Sequence, residues 1–235
     1  MSAIDVRPVV NTLIRRLPPA ERKALLARCQ TVDLTFGTIL CEAHGPLRHV
    51  HFPLTAFLSL VASVDERPPI EMGMIGSEGA LGATMLLGVT SMPLRCIVQG
   101  AGQSLRLTPS ALRKALDESP MLRRTLNRYL YVLMVQLSRT AACLHFHEIG
   151  QRLARWLLMT HDRAHGDHFH LTHQFLSEML GVRRSGVTTA ASVMQANGLI
   201  EYSRGDIHIL DRQGLEAVSC ECYRGVNEEY SRLMR

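Results

Sequence analysis

The chain has few aromatic residues, no long apolar run and no cysteine before Cys29, and each shortage removes a class of protein. Aromatics make up 5% of the 235 residues, so a core must be aliphatic, built from Leu, Val, Ile and Met. No apolar stretch approaches the ~20 residues that a membrane-spanning helix needs. The N-terminus lacks the pattern of a secretory signal peptide, and the six cysteines are scattered, unlike a disulfide framework. They read as small buried hydrophobes in a reducing compartment. We therefore expect a soluble, cytoplasmic protein with no membrane partner. Also missing are a Ser/His/acid arrangement, a Gly-Lys phosphate loop and paired carboxylates in a plausible pocket. No residue is assigned as catalytic, and an enzyme with an incidental helical tail is the weaker rival.

What is present suits two modest domains. Hydrophobic residues make up 46%, enough for a buried core, and the formal charge of +5 fits a nucleic-acid partner without demanding one. The stretch Leu171 to Ile200, LTHQFLSEMLGVRRSGVTTAASVMQANGLI, reads as two helices joined by a tight turn. Thr172 is a residue type that caps a helix start. Phe175, Leu176 and Met179 fall on one face, with Leu180 beside them. Gly181 can take the left-handed backbone that leaves a helix sharply. The second run, Arg183 to Asn197, turns Val187, Ala190, Ala191 and Met194 inward and Arg184, Ser185, Thr188 and Thr189 outward. Such a helix pair suits docking into a DNA major groove. Leu199–Tyr202 and Ile207–Leu210 then alternate apolar and polar around Arg204-Gly205-Asp206. This reads as a β-hairpin in the position of a wing. Asp211 can cap a last helix beginning near Arg212.

The run GVRRSGVTTAASVMQANGLIEYSRGDIHILDRQGLEAVSCECY resembles the C-terminal domain of Crp/Fnr-type bacterial transcription regulators. The shared pieces are a GVRRS-x-VT turn and helix start, a GLI-x-Y-x-RG wing, a LDR-x-GLE helix start and an SCECY segment. The match covers about the last third of the chain, and the family order can be followed through the rest. One departure matters. Cyclic-AMP receptor regulators place a Glu directly after the recognition-helix Arg and a second Arg four residues beyond it. Here Ser185 follows Arg184, and Thr189 stands where the second Arg would be, so the family's familiar half-site is not assumed.

The resemblance implies an α+β protein in three parts. Residues 1–120 form a cyclic-nucleotide-binding-like β-roll with a helical lead-in, LPPAERKALLARC. Residues 121–147 form a dimerisation helix and hinge, and residues 148–235 a winged helix-turn-helix domain. Short Gly- and Pro-punctuated strands from Thr31 to about Leu107 agree with the roll. The familiar phosphate cassette has a Gly-Glu turn and an Arg followed by Ser or Thr, a sound device for holding an anion. Gly76, Glu78, Gly79 and Gly82 preserve the turn. Pro93 and Leu94 occupy the Arg-Ser positions, while Arg95 comes later, and a one-residue shift in a strand changes the face. These residues, with Ser138 on the long helix, are the effector-site candidates. The effector is unidentified, and cyclic nucleotides are not expected. With no cysteine before Cys29, the iron–sulfur cluster carried by some family members is not expected either, and no cofactor is assigned.

Leu126, Leu130, Leu133, Leu137, Ala141 and Leu144 follow a spacing close to the heptad rule of a two-helix seam. A helix packed on its own roll would also produce such a stripe. The resemblance favours the seam and a homodimer. Trp156 and Leu157 should bury against the helix-turn-helix. Among the eleven histidines, His161 and His165 are at i, i+4, a spacing that can hold a metal, but a polar surface around a loop is the simpler reading. Cys220-x-Cys222 is unlike the usual zinc pair and reads as packing of the last helix. No metal site is assigned. The whole is read as a homodimeric regulator of transcription on a roughly palindromic operator, with its half-sites about one helical turn apart. Double-stranded DNA and RNA polymerase are its partners. Arg184, Ser185, Thr188 and Thr189 are assigned to base edges, and Arg183, Arg204 and Thr172 to phosphates. Helical phase allows Arg183 and Arg184 to be exchanged. A sensor that acts through a protein partner without DNA is the other reading.

Overall fold

The computed structural model describes residues 10–64, 68–164 and 166–234. Two short helices lead in, α1 (Thr12–Arg15) and α2 (Pro19–Leu26). Asn11 caps the first by accepting from the Leu13 amide, and its own amide group donates to the carbonyls of Pro53 and Gly79. Proline at the first positions starts the second, where its missing N–H costs nothing.

The roll consists of two antiparallel sheets. One orders β1 (Gln30–Leu34), β7 (Gly102–Leu107) and β3 (Val50–Pro53), with β7 in the middle. The other orders β2 (Ile39–Cys41), β6 (Arg95–Gly100), β4 (Phe57–Ala62) and β5 (Ile70–Ile75). A one-turn 3-10 helix, Ala83–Leu87, lies between left-handed Gly82 and Gly88. Leu58, Leu60, Ile75, Cys96 and Val98 fill the interior. A short α3 (Pro109–Glu118) leads to the long α4 (Pro120–Phe146), whose start Ser119 caps by accepting from the Leu122 amide.

The stripe assigned to the dimer seam turns out to face largely inward. Leu126 is 0% exposed and lies in one core with Val50, Phe52 and Leu112. Leu133 is buried with Leu58 and Ile75. These two leucines cannot meet a second chain, because their own roll already covers them. Leu130 and Leu137 are half-buried against the same cores, Leu144 is half-buried and Ala141 is exposed. The free apolar face of α4 is a neighbouring stripe: Tyr131 at 46% and Met134 at 61% exposed, continued by exposed Ser138 and Ala141.

Beyond α4, α5 (Ile149–Ala164) buries Leu153, Trp156, Leu157 and Leu158, so Trp156 and Leu157 do pack as expected. The remaining elements are β8 (His168–His170), α6 (His173–Leu180), α7 (Arg184–Ala196), β9 (Ile200–Ser203), β10 (Asp206–Ile209), α8 (Arg212–Val218) and α9 (Glu221–Leu233). β10 lies between β8 and β9 in a small antiparallel sheet, so the expected hairpin has a third strand. One continuous core joins α5, α6 and α7 to Val61 and Met74 of the roll.

Candidate nucleic-acid interface

The helix pair is built from local signals. Thr172 accepts from the Phe175 amide at 3.1 Å and starts α6. Gly181, at φ +62°, ends it in the left-handed conformation. A Cβ at Gly181 would stand 2.5 Å from Ile70 Cδ1 of the roll, so glycine meets both a backbone and a space requirement. Arg152 of α5 donates to the Leu180 carbonyl, which satisfies one of the acceptors that a helix end leaves open. Val187, Ala191 and Met194 of α7 are buried and Ala190 is half-buried.

The outer face of α7 carries Arg184, Ser185, Thr188 and Thr189, all exposed. Arg184 and Thr188 are one helical turn apart, as are Ser185 and Thr189, so the four form a compact patch. The Thr188 hydroxyl lies 3.1 Å from the Arg184 carbonyl and that of Thr189 lies 3.1 Å from the Ser185 carbonyl. The Thr189 hydroxyl, with its proton directed into the helix, presents its lone pairs outward. Arg183 occupies the N-cap position, and no acidic residue stands in the first turn. The positive end of the helix dipole and two arginines therefore act together, a setting that favours an anion. Thr172 is exposed as well, and its cap uses only a lone pair, which leaves the hydroxyl proton free for a phosphate oxygen.

The wing has a two-residue turn. Ser203 pairs with Asp206, and Arg204 and Gly205 have φ of +51° and +94°, as a type I′ turn requires. Arg204 is exposed at the tip. Asp211 caps α8 by accepting from the Gly214 amide at 2.9 Å. Arg212 then reaches Asp162, Glu216 and the Tyr223 hydroxyl, which ties α8 to α5 and α9.

Sequence reasoning missed His173. Its Nδ1 lies 3.0 Å from the Thr188 hydroxyl, and its ring stacks on Tyr202 of the wing at 4.1 Å. Tyr202 in turn donates its amide to Gln195 at 2.8 Å. Burial, then the Arg184 charge, holds the His173 pKa below its ordinary value. The imidazole thus ties α7 to β9.

Of the effector candidates, Gly76, Glu78 and Gly79 share one hydrogen-bonded turn, while Arg95 and Ser138 are held on other elements. Glu78 is engaged by Arg163 of α5 at 2.7 and 2.9 Å and also accepts from the Gly76 amide. The Glu78 carbonyl accepts from Tyr230 at 3.0 Å. A Cβ on Gly79 would stand 2.4 Å from the Tyr129 hydroxyl, so the turn is packed against α4. Gly82 faces Val50. Arg95 is paired with Glu42 at 2.8 Å, and Ser138 is exposed on α4. Glu78 and Arg95, two of the effector-site candidates, are thus each paired within the chain. His161 is bonded to Asp167 and Arg212, while His165 lies outside the described residues. Among the described residues, one group of side chains has the proximity a metal ion needs: Cys143, His147, Cys220 and Cys222. No described helix is long and apolar enough to cross a membrane.

Comparison with known proteins agrees with this architecture. Residues 151–218 match the family described as the Crp-like helix-turn-helix domain. No curated protein sequence matches the chain. Among solved structures, a regulator of the Crp/Fnr family from Eubacterium rectale superposes with a TM-score of 0.68 at 17% identity, covering 88% of this chain and 96% of its own. FixK2 from Bradyrhizobium japonicum gives 0.69 at 16% identity, covering 82% and 98%. A Crp/Fnr transcriptional regulator from Thermus thermophilus gives 0.66 at 20%, covering 81% and 98%. At these identities the structures establish a shared fold.

Proposed function

We propose that this chain, a Crp-like helix-turn-helix domain set in a Crp/Fnr-type fold, is a DNA-binding regulator of transcription. It acts as a homodimer on a roughly palindromic operator. The observation that carries the reading is the outer face of α7. Arg184 lies there beside three small hydroxyl residues, and Arg204 is exposed at the wing tip. An arginine fork can grip the O6 and N7 atoms of a guanine in the major groove. Thr188 and Thr189 offer acceptors to neighbouring base edges. Arg183, Arg204 and Thr172 contact phosphates and set the register.

The dimer forms along the free stripe of α4. Tyr131, Met134, Ser138 and Ala141 are spaced three, four and three residues apart, a coiled-coil interval, and half-buried Leu130 and Leu137 flank it. Two α7 helices then address successive turns of the duplex. RNA polymerase is the second partner of such a regulator. The roll senses an effector other than by the cyclic-nucleotide cassette, because Glu78 and Arg95 are each already paired.

The test is selection of genomic fragments by the purified protein, followed by titration of Arg184→Ala on the selected operator, its single-base variants and random duplex. We expect a loss of about 1–3 kcal/mol per half-site on the operator, relaxed discrimination at one base pair and a much smaller loss on random DNA. Equal loss on every sequence would make Arg184 a phosphate contact. Failure to select any fragment would refute the reading.

A further inference from the structure

Four metal-ligand side chains from two parts of the chain meet where the long helix ends. Cys143 lies in the last turn of α4, and His147 is the C-cap of that helix. Cys220 is the N-cap of α9 and Cys222 lies in its first turn. Cys143, Cys220 and Cys222 are at most 2% exposed and pack as a group of their own. Cys143 Sγ is 3.5 Å from Cys220 Sγ, and Cys222 Sγ is 3.7 Å from His147 Nδ1. All four ligand atoms lie within 4.8 Å of one another.

The two shortest of these separations are close to those of a tetrahedral site. Metal–sulfur bonds of ~2.3 Å place two sulfurs on a common zinc ion about 3.8 Å apart, and a sulfur and an imidazole nitrogen about 3.6 Å apart. The i, i+2 spacing of Cys220 and Cys222 would point them to opposite sides of a regular helix. Cys220, however, has an extended backbone, φ −77° and ψ 158°, and this break in phase lets both sulfurs converge. That correction removes the reason for reading Cys220-x-Cys222 as mere packing.

Two features outside the four ligands point to the same ion. His147 Nε2 stands 3.2 Å from the Glu221 carboxylate. A carboxylate on the far nitrogen fixes the imidazole tautomer and aims Nδ1 at a metal. Arg155 is buried, donates through Nη2 to the Thr140 hydroxyl, and has no partner for its Nε among the described residues. Three thiolates and a neutral imidazole around a divalent cation carry a net negative charge, which that arginine would balance.

We propose that Cys143, His147, Cys220 and Cys222 bind one zinc ion in a closed, four-coordinate site. Three sulfurs and one nitrogen in tetrahedral array favour zinc over hard cations. With no position left for water or substrate, the site is structural. It pins the end of the dimer helix to the last helix of the DNA-binding domain and so fixes the hinge at His147. This assignment stands on the thiol geometry and does not depend on the DNA reading.

The test uses the untagged full-length chain, purified with a non-thiol reductant. Elemental analysis should find about one zinc per chain. Cobalt added to the reduced, metal-stripped chain should give the intense visible bands of a tetrahedral site and a sulfur-to-cobalt charge-transfer band, all displaced by zinc. Cys222→Ser should lower the charge-transfer intensity, because one of the three sulfur ligands is lost. Glu221→Gln, at an exposed position, should keep the spectrum while lowering affinity about 10–100-fold. A weak octahedral cobalt spectrum from the reduced wild-type chain would overturn the proposal. So would chains taken directly from cells with Cys143 and Cys220 joined as a disulfide and no metal.

Discussion

Replacing Glu71 with glutamine should stabilise the protein at alkaline pH and not at acid pH. Glu71 lies on β5 and is only 6% exposed. Its carboxylate meets the Ser59 hydroxyl, which also meets Oε1 of Gln99. In this arrangement one hydroxyl proton faces two acceptors, and a proton on Glu71 completes a chain from Glu71 through Ser59 to Gln99. Burial raises the Glu71 pKa from 4.5 to about 7, against the opposing pull of the Ser59 hydrogen bond and the Arg163 and Arg155 charges. A carboxyl whose pKa is raised on folding favours the folded state only while protonated. Its cost is absent below pH 4.5, grows as the pH rises, and is complete above about pH 7. Each pKa unit between the two states is worth ~1.4 kcal/mol, so the full cost is about 3 kcal/mol. Glutamine keeps the shape and the donor but cannot ionise. Glu71→Gln should therefore gain up to about 3 kcal/mol at pH 8 and almost nothing at pH 4.5. Urea unfolding at both pH values measures this, followed through the single tryptophan. That residue is Trp156, which lines the same small cavity as Glu71. A variant less stable than the parent at pH 8 would refute the reasoning, because it would mean that the ionised carboxylate is the form the fold holds.

With the dimer formed along α4 as proposed, Met134→Glu should give a folded monomer, read by light scattering with unchanged circular dichroism, since Met134 is exposed in the single chain. Leu126→Ala should do the opposite, costing about 2–5 kcal/mol of stability from the cavity it leaves without changing the dimerisation constant. Arg204→Ala should weaken operator and random DNA alike and reduce the salt slope by about one, measured by titration at several salt concentrations. Gly79→Ala should lower the melting temperature, because the new methyl group would press on the buried Tyr129 hydroxyl, and should leave DNA recognition intact in the folded fraction.

Features set by neighbouring residues were legible in the sequence. Thr172, Gly181 and Asp211 each perform the cap their residue type suggests, and the Arg204-Gly205 turn follows from its composition. The inner face of α7 obeys helical phase. What failed depended on distant partners. The long helix has apolar residues on two adjacent stripes, and heptad counting cannot tell which one the roll covers. The leucine-rich stripe went inward, leaving Tyr131 and Met134 outside. Arg95 pairs with Glu42, 53 residues away, a partner that strand spacing does not reveal. The strand β8 was hidden in a histidine-rich stretch whose only signal is the alternation of exposed His168 and His170 around half-buried Phe169. The thiol group joins residues 77 apart, and an i, i+2 pair means something different at an extended cap than within a helix.

The core that joins α5, α6 and α7 to Val61 and Met74 bears on how such a chain can be recombined. Divided by its sequence, it looks like a sensor and a reading head that could be exchanged between proteins at the hinge. The packing follows a different boundary. Gly181, between α6 and α7, is closed against Ile70 of the roll, and Val61 and Met74 pack in one core with the helices α5, α6 and α7. A chimera cut at residue 147 would expose that surface on both halves. A graft that keeps the reading head intact would have to bring the β4 and β5 strands with it, so the smallest transferable unit crosses the domain line.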